Sequence, residues 1–266
     1  MRWIRPLAVT VLVLTLTACT TSPTGRQQLT LVSDAQLNQM GREAFEKYQQ
    51  DLPAAGQSAQ RYAQCVADAL VAVLPERERD KDWQIRVFES EQANAFALPG
   101  GYMGVNTGLL DIARNQDQLA AVVGHEIGHV IANHANERVS THTSTQLALS
   151  VLGSAAGMQG QGGQQLMGAL GLGAQYGILL PFSRRHETEA DIIGLRVMAD
   201  AGFDPRASLD LWENMSAAGG ARPPAWMSTH PSHGQRTQVL HQEMDGALAR
   251  FEQARRGGRQ PNCQRP

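Results

Sequence analysis

Val123-Gly124-His125-Glu126-Ile127-Gly128-His129-Val130 is the stretch that decides how this chain reads. It contains the pattern His-Glu-x-x-His inside a run whose other residues (Leu119, Val122, Ile127, Ile131) are apolar, so it predicts a buried helix, here over Asp117–Val139. On a helix, positions four apart lie one above the other, and His125 and His129 can meet a single ion. Glu126 sits about 100° further round and can reach a water at that ion without ligating it. A buried His-Glu-His group needs a partner for its polarity, and a zinc ion is the partner this spacing suits.

A third ligand is required. The metzincin continuation His-x-x-Gly-x-x-His fails, because Ala132 replaces the glycine and Ala135 stands at the place of the histidine. His134 falls about 180° from His125 on a helix and reads as a structural or surface residue. The alternative is a carboxylate from a later helix. Ser183-Arg184-Arg185-His186-Glu187-Thr188-Glu189-Ala190-Asp191 supplies one. Glu187 and Asp191 share a face: Glu187 can ligate, and Asp191 can accept a hydrogen bond from a ligand imidazole. Glu189 points elsewhere.

Working outward, the 266 residues carry a formal net charge of -2, with 42% hydrophobic and 5% aromatic residues. That balance excludes a disordered chain and gives no electrostatic case for nucleic acid. Helical spacing covers Asp34–Gln50, Gln57–Leu74, Thr143–Gly157, Ser183–Ala201, Pro205–Ala217 and Ser232–Arg255. Alternation predicts a strand over Trp83–Phe88 and two more within Asn94–Val105 around Leu98-Pro99-Gly100-Gly101. The expected fold is α+β and mostly helical, with a small sheet. An uncharged Gly/Gln/Leu stretch, Gly153–Gly177, reads equally as a mobile lid, a membrane-facing loop or a structural hairpin.

At the N-terminus, Arg2, Arg5 and the apolar run Leu7–Leu16 read as a signal peptide over residues 1–18. Leu16-Thr17-Ala18-Cys19 resembles the lipobox of bacterial lipoproteins. The resemblance implies lipidation of Cys19, with Thr20 favouring the inner leaflet of the outer membrane. Residues 19–32 then read as a tether, 33–257 as a single domain and 258–266 as a tail. The remaining pair, Cys65 and Cys263, suits a disulfide in an oxidising periplasm.

Four segments, in order, resemble the CAAX-prenyl-protease-like zinc metallopeptidases: Asn94–Gly101, His125–Val130, Phe182–Asp191, and Ser228-Thr229-His230-Pro231-Ser232 followed by Arg236. The absence of several transmembrane runs points to a small lipoprotein form. The resemblance implies a gluzincin-type domain with its sheet beside the active-site helix. It implies one zinc per chain on His125, His129 and Glu187, and peptide hydrolysis by a zinc-activated water with Glu126 as general base. His230 would stabilise the oxyanion or close the site at rest. Substrate would pair as an added strand along Asn94, Phe96 and Ala97. The implied partners are unfolded polypeptides, the membrane through the lipid, and outer-membrane assembly components. A chaperone-like lipoprotein that holds chains without cutting them is the other class, and an intact Glu126 argues against it.

Overall fold

The structure is a computed structural model and describes residues 19–155, 182–218, 224–230 and 234–266. The expected signal peptide, the stretch from residue 156 to Gly177, and Pro231 and Ser232 lie outside the described residues. The described residues form two compact units, one within residues 19–37 and 133–155 and one within residues 38–132 and from 182 onward.

In the first unit, β1 (Cys19–Thr21) and β2 (Gln27–Leu29) pair antiparallel, with Thr20 opposite Gln28. Gly25 at φ 90° and a Ser22 N–H to Arg26 carbonyl bond of 2.8 Å make the turn. These residues were expected to be a tether. Their polarity is spent on folding instead. The Arg26 guanidinium grips both oxygens of Glu137, at 2.7 and 2.6 Å, and Ser140 Oγ accepts from the Leu31 N–H at 2.7 Å. Asn136 Nδ2 donates to the Val32 carbonyl at 2.7 Å.

The second unit carries most of the elements. After α1 (Asp34–Asp51), which begins in the first unit, come α2 (Gln57–Val71), a single turn α3 (Glu76–Arg79), β3 (Gln84–Phe88), β4 (Ala95–Leu98) and β5 (Tyr102–Asn106). Then follow α4 (Thr107–Ile112), α5 (Gln116–Ile131), α7 (Arg184–Asp200), α8 (Ala207–Ala218), α9 (Ala225–Thr229) and α10 (Gly234–Arg256). Helix α6 (His134–Ala155) belongs to the first unit. The sheet order is β3-β5-β4, with β3 parallel and β4 antiparallel to β5, so β4 is an edge. α2 and α5 close over the sheet with Tyr62, Val66, Leu70, Val87, Val105, Leu119 and Val123, all nearly fully buried. This α+β architecture matches the expected class. Among the described residues, no helix is long and apolar enough to cross a membrane.

One predicted helix divides. The expected Asp117–Val139 helix stops at Ile131, and Asn133 adopts φ 54° before α6 begins. Asparagine tolerates this left-handed conformation better than other side chains, and it ends helices for that reason. His134 is wholly buried, which agrees with the structural one of its two readings.

Two features fix α5. Its N-cap Asn115 accepts from the Gln118 N–H at 2.9 Å. Its first residue, Gln116, donates to the Pro261 carbonyl at 3.0 Å and accepts from the Cys263 N–H at 2.8 Å. Cys263 is disulfide-bonded to Cys65 of α2, with Cα atoms 5.6 Å apart. The tail from 258 onward is therefore fastened at both Gln116 and α2.

Candidate metal centre

The site depends on how closely α5 and α7 cross. Gly124 and Gly128 on α5 face Gly194 and Ala190 on α7. A Cβ on Gly128 would lie 2.8 Å from the Ala190 carbonyl oxygen, and one on Gly194 would lie 2.7 Å from the His125 nitrogen. Only bare backbone fits there. The crossing carries Glu187 and Asp191, in the first turns of α7, across to His125 and His129. Ser183 caps α7 by accepting from the His186 N–H at 3.3 Å.

His125, His129, Glu187 and His230 converge, each offering one ligand atom within 4.8 Å of every other, and all four are buried. His125 Nε2 stands 3.0 Å from His129 Nε2 and 3.3 Å from His230 Nδ1. Glu187 Oε1 is 3.5 Å from His129 Nε2 and 3.2 Å from His230 Nδ1, and its Oε2 is 3.5 Å from His125 Nε2. Ligands held about 2.0–2.1 Å from a tetrahedral zinc are about 3.3–3.4 Å apart. The donor types and their spacing therefore fit zinc. Three imidazoles and a carboxylate pointed at one another in a dry interior also need a shared cation.

The surrounding charges say the same. Burial pushes the His125 imidazolium down, but hydrogen bonds to Asp191 and Glu187 hold it up to about 9 against the opposing charge of Arg236. Burial raises Glu187, yet its bonds to His125 and His230 and the nearby Arg236 hold it well below the carboxylate range. Asp191, also raised by burial, is lowered by Arg236 and His125. Asp191 Oδ1 is 2.9 Å from His125 Nδ1, the contact its helical position predicts. Glu189, read as pointing away, is buried as well.

Glu126 is next to this group and held separately. Its Oε1 accepts from the Trp226 indole N–H at 2.8 Å and lies 3.3 Å from His230 Nε2. Its Oε2 accepts from the Ala97 N–H at 3.1 Å. The strand contact was predicted on Asn94, Phe96 and Ala97, and the parity of the strand separates these residues. Asn94 turns its carbonyl to the Asn106 N–H of β5, whereas Ala93 turns its own to the Trp226 N–H. Backbone direction alternates, so Phe96 goes with Asn94 and faces β5, and Ala95 and Ala97 face the edge away from β5, where Glu126 takes the Ala97 N–H.

Three aromatic residues complete the site, none of them assigned a role by the sequence. Phe182 stacks on His129 at 3.7 Å and on His230 at 5.2 Å, and Trp226 covers the other side of His230 at 4.9 Å. Trp212 backs Arg236 at 4.3 Å. Proximity to the signature histidine was the available signal for Trp226, four residues upstream. Phe182 opens the segment that carries Glu187, and Trp212 reaches the site only through the tertiary fold.

The family model for peptidase family M48 matches residues 57–244. The chain is 37% identical over 175 residues to the mitochondrial metalloendopeptidase OMA1 of Schizosaccharomyces pombe, covering 65% of this chain and 50% of that protein. It is 28% identical over 159 residues to the metalloprotease LoiP of Escherichia coli K12, covering 60% and 62% respectively. It is 34% identical over 150 residues to the beta-barrel assembly-enhancing protease of Yersinia pestis, covering 53% and 30%. The chain thus spans half or less of the length of the OMA1 relatives from yeast, plant and mammal that it matches. M48 metallopeptidases use zinc, which agrees with the donor set. By this match and the geometry above, the chain belongs to peptidase family M48.

Proposed function

We propose that this chain is a zinc metalloendopeptidase in which His125, His129 and Glu187 hold the ion, Glu126 is the general base and His230 is the oxyanion donor. The single observation that carries the reading is the convergence of His125, His129, Glu187 and His230 with the Glu126 carboxylate beside them. Zinc bound there supplies Lewis acidity for a carbonyl and lowers the pKa of water. Glu126 moves the proton: its Oε1 takes one from water and returns it to the departing amine. His230 Nε2, 3.3 Å from that oxygen, is placed to donate to developing negative charge. The β4 edge at Ala95 and Ala97, once Glu126 releases the Ala97 N–H, suits an extended polypeptide, because backbone pairing accepts many sequences.

The proposal extends to a lipoprotein of the bacterial periplasm, attached through Cys19 to the inner leaflet of the outer membrane and cutting unfolded envelope proteins. Arg2, Arg5, the run Leu7–Leu16 and Leu16–Cys19 support the anchor. The likeness to LoiP and to the beta-barrel assembly-enhancing protease supports the setting and outer-membrane assembly partners.

A second reading is a latent form of the same enzyme. Both oxygens of Glu126 are taken, by Trp226 and by the Ala97 N–H that a substrate strand would use, and His230 stands within the ligand group. The test compares the mature protein with Glu126→Gln on unfolded casein, with zinc counted in both. One zinc in each and cleavage by the wild type alone supports the peptidase. One zinc in each and cleavage by neither supports the latent form. No zinc in the wild type overturns both.

A further inference from the structure

Arg236 is the least expected charge near the site. It is a guanidinium 1% exposed, beside a group that calls for a dication. Its Nε and Nη2 donate to Asp191 Oδ2 and Oδ1 at 2.7 and 2.6 Å, a two-point grip. Its Nη1 lies 2.7 Å from Glu187 Oε2 and 3.4 Å from the His230 carbonyl oxygen, to which it donates. The Trp212 ring backs the guanidinium at 4.3 Å, with Trp226 further off at 5.6 Å. One side chain thus touches Glu187 and Asp191, lies with its Nη2 3.3 Å from His125 Nδ1, and bonds the backbone of His230.

The division of the Glu187 carboxylate matters most. Its Oε1 faces His129 and His230, and its Oε2 faces Arg236 and, at 3.5 Å, His125. A carboxylate with both oxygens free can offer two to an ion and raise the coordination number. The ion pair from Arg236 Nη1 to Oε2, an oxygen that no hydrogen bond satisfies, opposes this. Charge accounting points the same way. Glu126, Glu187 and Asp191 bring three carboxylates to the group, and the Arg236 guanidinium offsets one of them.

We infer that Arg236 is a positioning residue that limits Glu187 to a single oxygen toward the zinc, so that the ion keeps a low coordination number and a free position. The inference rests on the proposed zinc site. Lysine cannot replace the fork, because a single ammonium cannot hold Asp191 at two points and Glu187 at a third.

The test uses the purified mature chain as wild type, Arg236→Lys and Arg236→Met, and measures zinc affinity by competition with a chromophoric chelator. It also measures the visible bands of the cobalt(II)-substituted proteins, which are intense for four-coordinate and weak for higher-coordinate ions. The wild type should take one zinc and give intense bands. Both variants should bind zinc about 10- to 100-fold more weakly, the usual effect of losing a partner of a ligand. Their cobalt bands should weaken, and Arg236→Lys should not restore them. A purely structural role would lower thermal stability without changing the bands of the folded fraction, and that result would overturn the inference. Should Arg236→Met not fold, Arg236→Lys decides, because it keeps the charge. Wild-type affinity and bands in Arg236→Lys would overturn the inference alone. Failure of the wild type to bind zinc would overturn the proposed function together with it.

Discussion

The two walls of the site are held by different kinds of bond. On one wall, β4 and α9 grip Glu126 with neutral donors, the Ala97 N–H and the Trp226 indole. On the other, α7 and α10 grip His125 and Glu187 with charges, through Asp191 and Arg236. Neutral donors orient a carboxylate while leaving its charge available, as a proton acceptor needs. An ionic network carries a large desolvation cost that only close geometry and a full set of partners offset. The difference fits the proposed roles, proton movement on one wall and rigid placement on the other.

Breaking the neutral wall at its acceptor has the largest expected effect. Glu126→Gln should lower proteolysis of casein by about 10²- to 10⁴-fold, the usual contribution of a general base. Zinc content by metal analysis should stay at that of the wild type. Breaking the ionic wall comes next. Asp191→Asn should weaken zinc binding about 10- to 100-fold in a chelator competition, because the Nδ1 partner of His125 loses its charge. Trp226→Phe sharpens the contrast: it keeps the ring over His230 and removes only the indole donor. A hydrogen bond to a charged group is worth about 1.5–3 kcal/mol. The kcat/KM should therefore change by roughly tenfold or more while zinc affinity holds. A fall in zinc affinity with unchanged kcat/KM would reverse the assignment of the walls. The smallest effect is expected from Ser183→Ala, which removes the cap of α7. It should cost about 1 kcal/mol, seen as a Tm lower by about 2–4 °C.

The walls also differ in how far they could be read from residues alone. His125, His129, Glu187 and Asp191 lie on two long helices, where a spacing of four implies a shared face, and the structure brings them together. The glycines at 124, 128 and 194 explain why the two helices can approach closely enough. The neutral wall was harder to read. Trp226 lies on the five-residue helix α9, too short for periodicity to reveal. The edge strand was located correctly, but which of its residues face outward is a question of parity. A four-residue strand next to Leu98-Pro99-Gly100-Gly101 does not settle parity without its partner's register. The break at Asn133 was missed because one asparagine in a helical pattern is a weak stop signal beside the apolar residues around it. The hairpin of residues 19–29 was missed because its stability comes from Glu137 and Ser140, more than a hundred positions away.

The fastening of Gln116 has a consequence for biosynthesis. The first turn of the helix that bears His125 and His129 is completed by Pro261 and Cys263, which emerge from the ribosome long after it. Contacts over such sequence separations form late in folding. A nascent chain therefore lacks part of the support of the helix that bears His125 and His129 until residues 261–263 have been made.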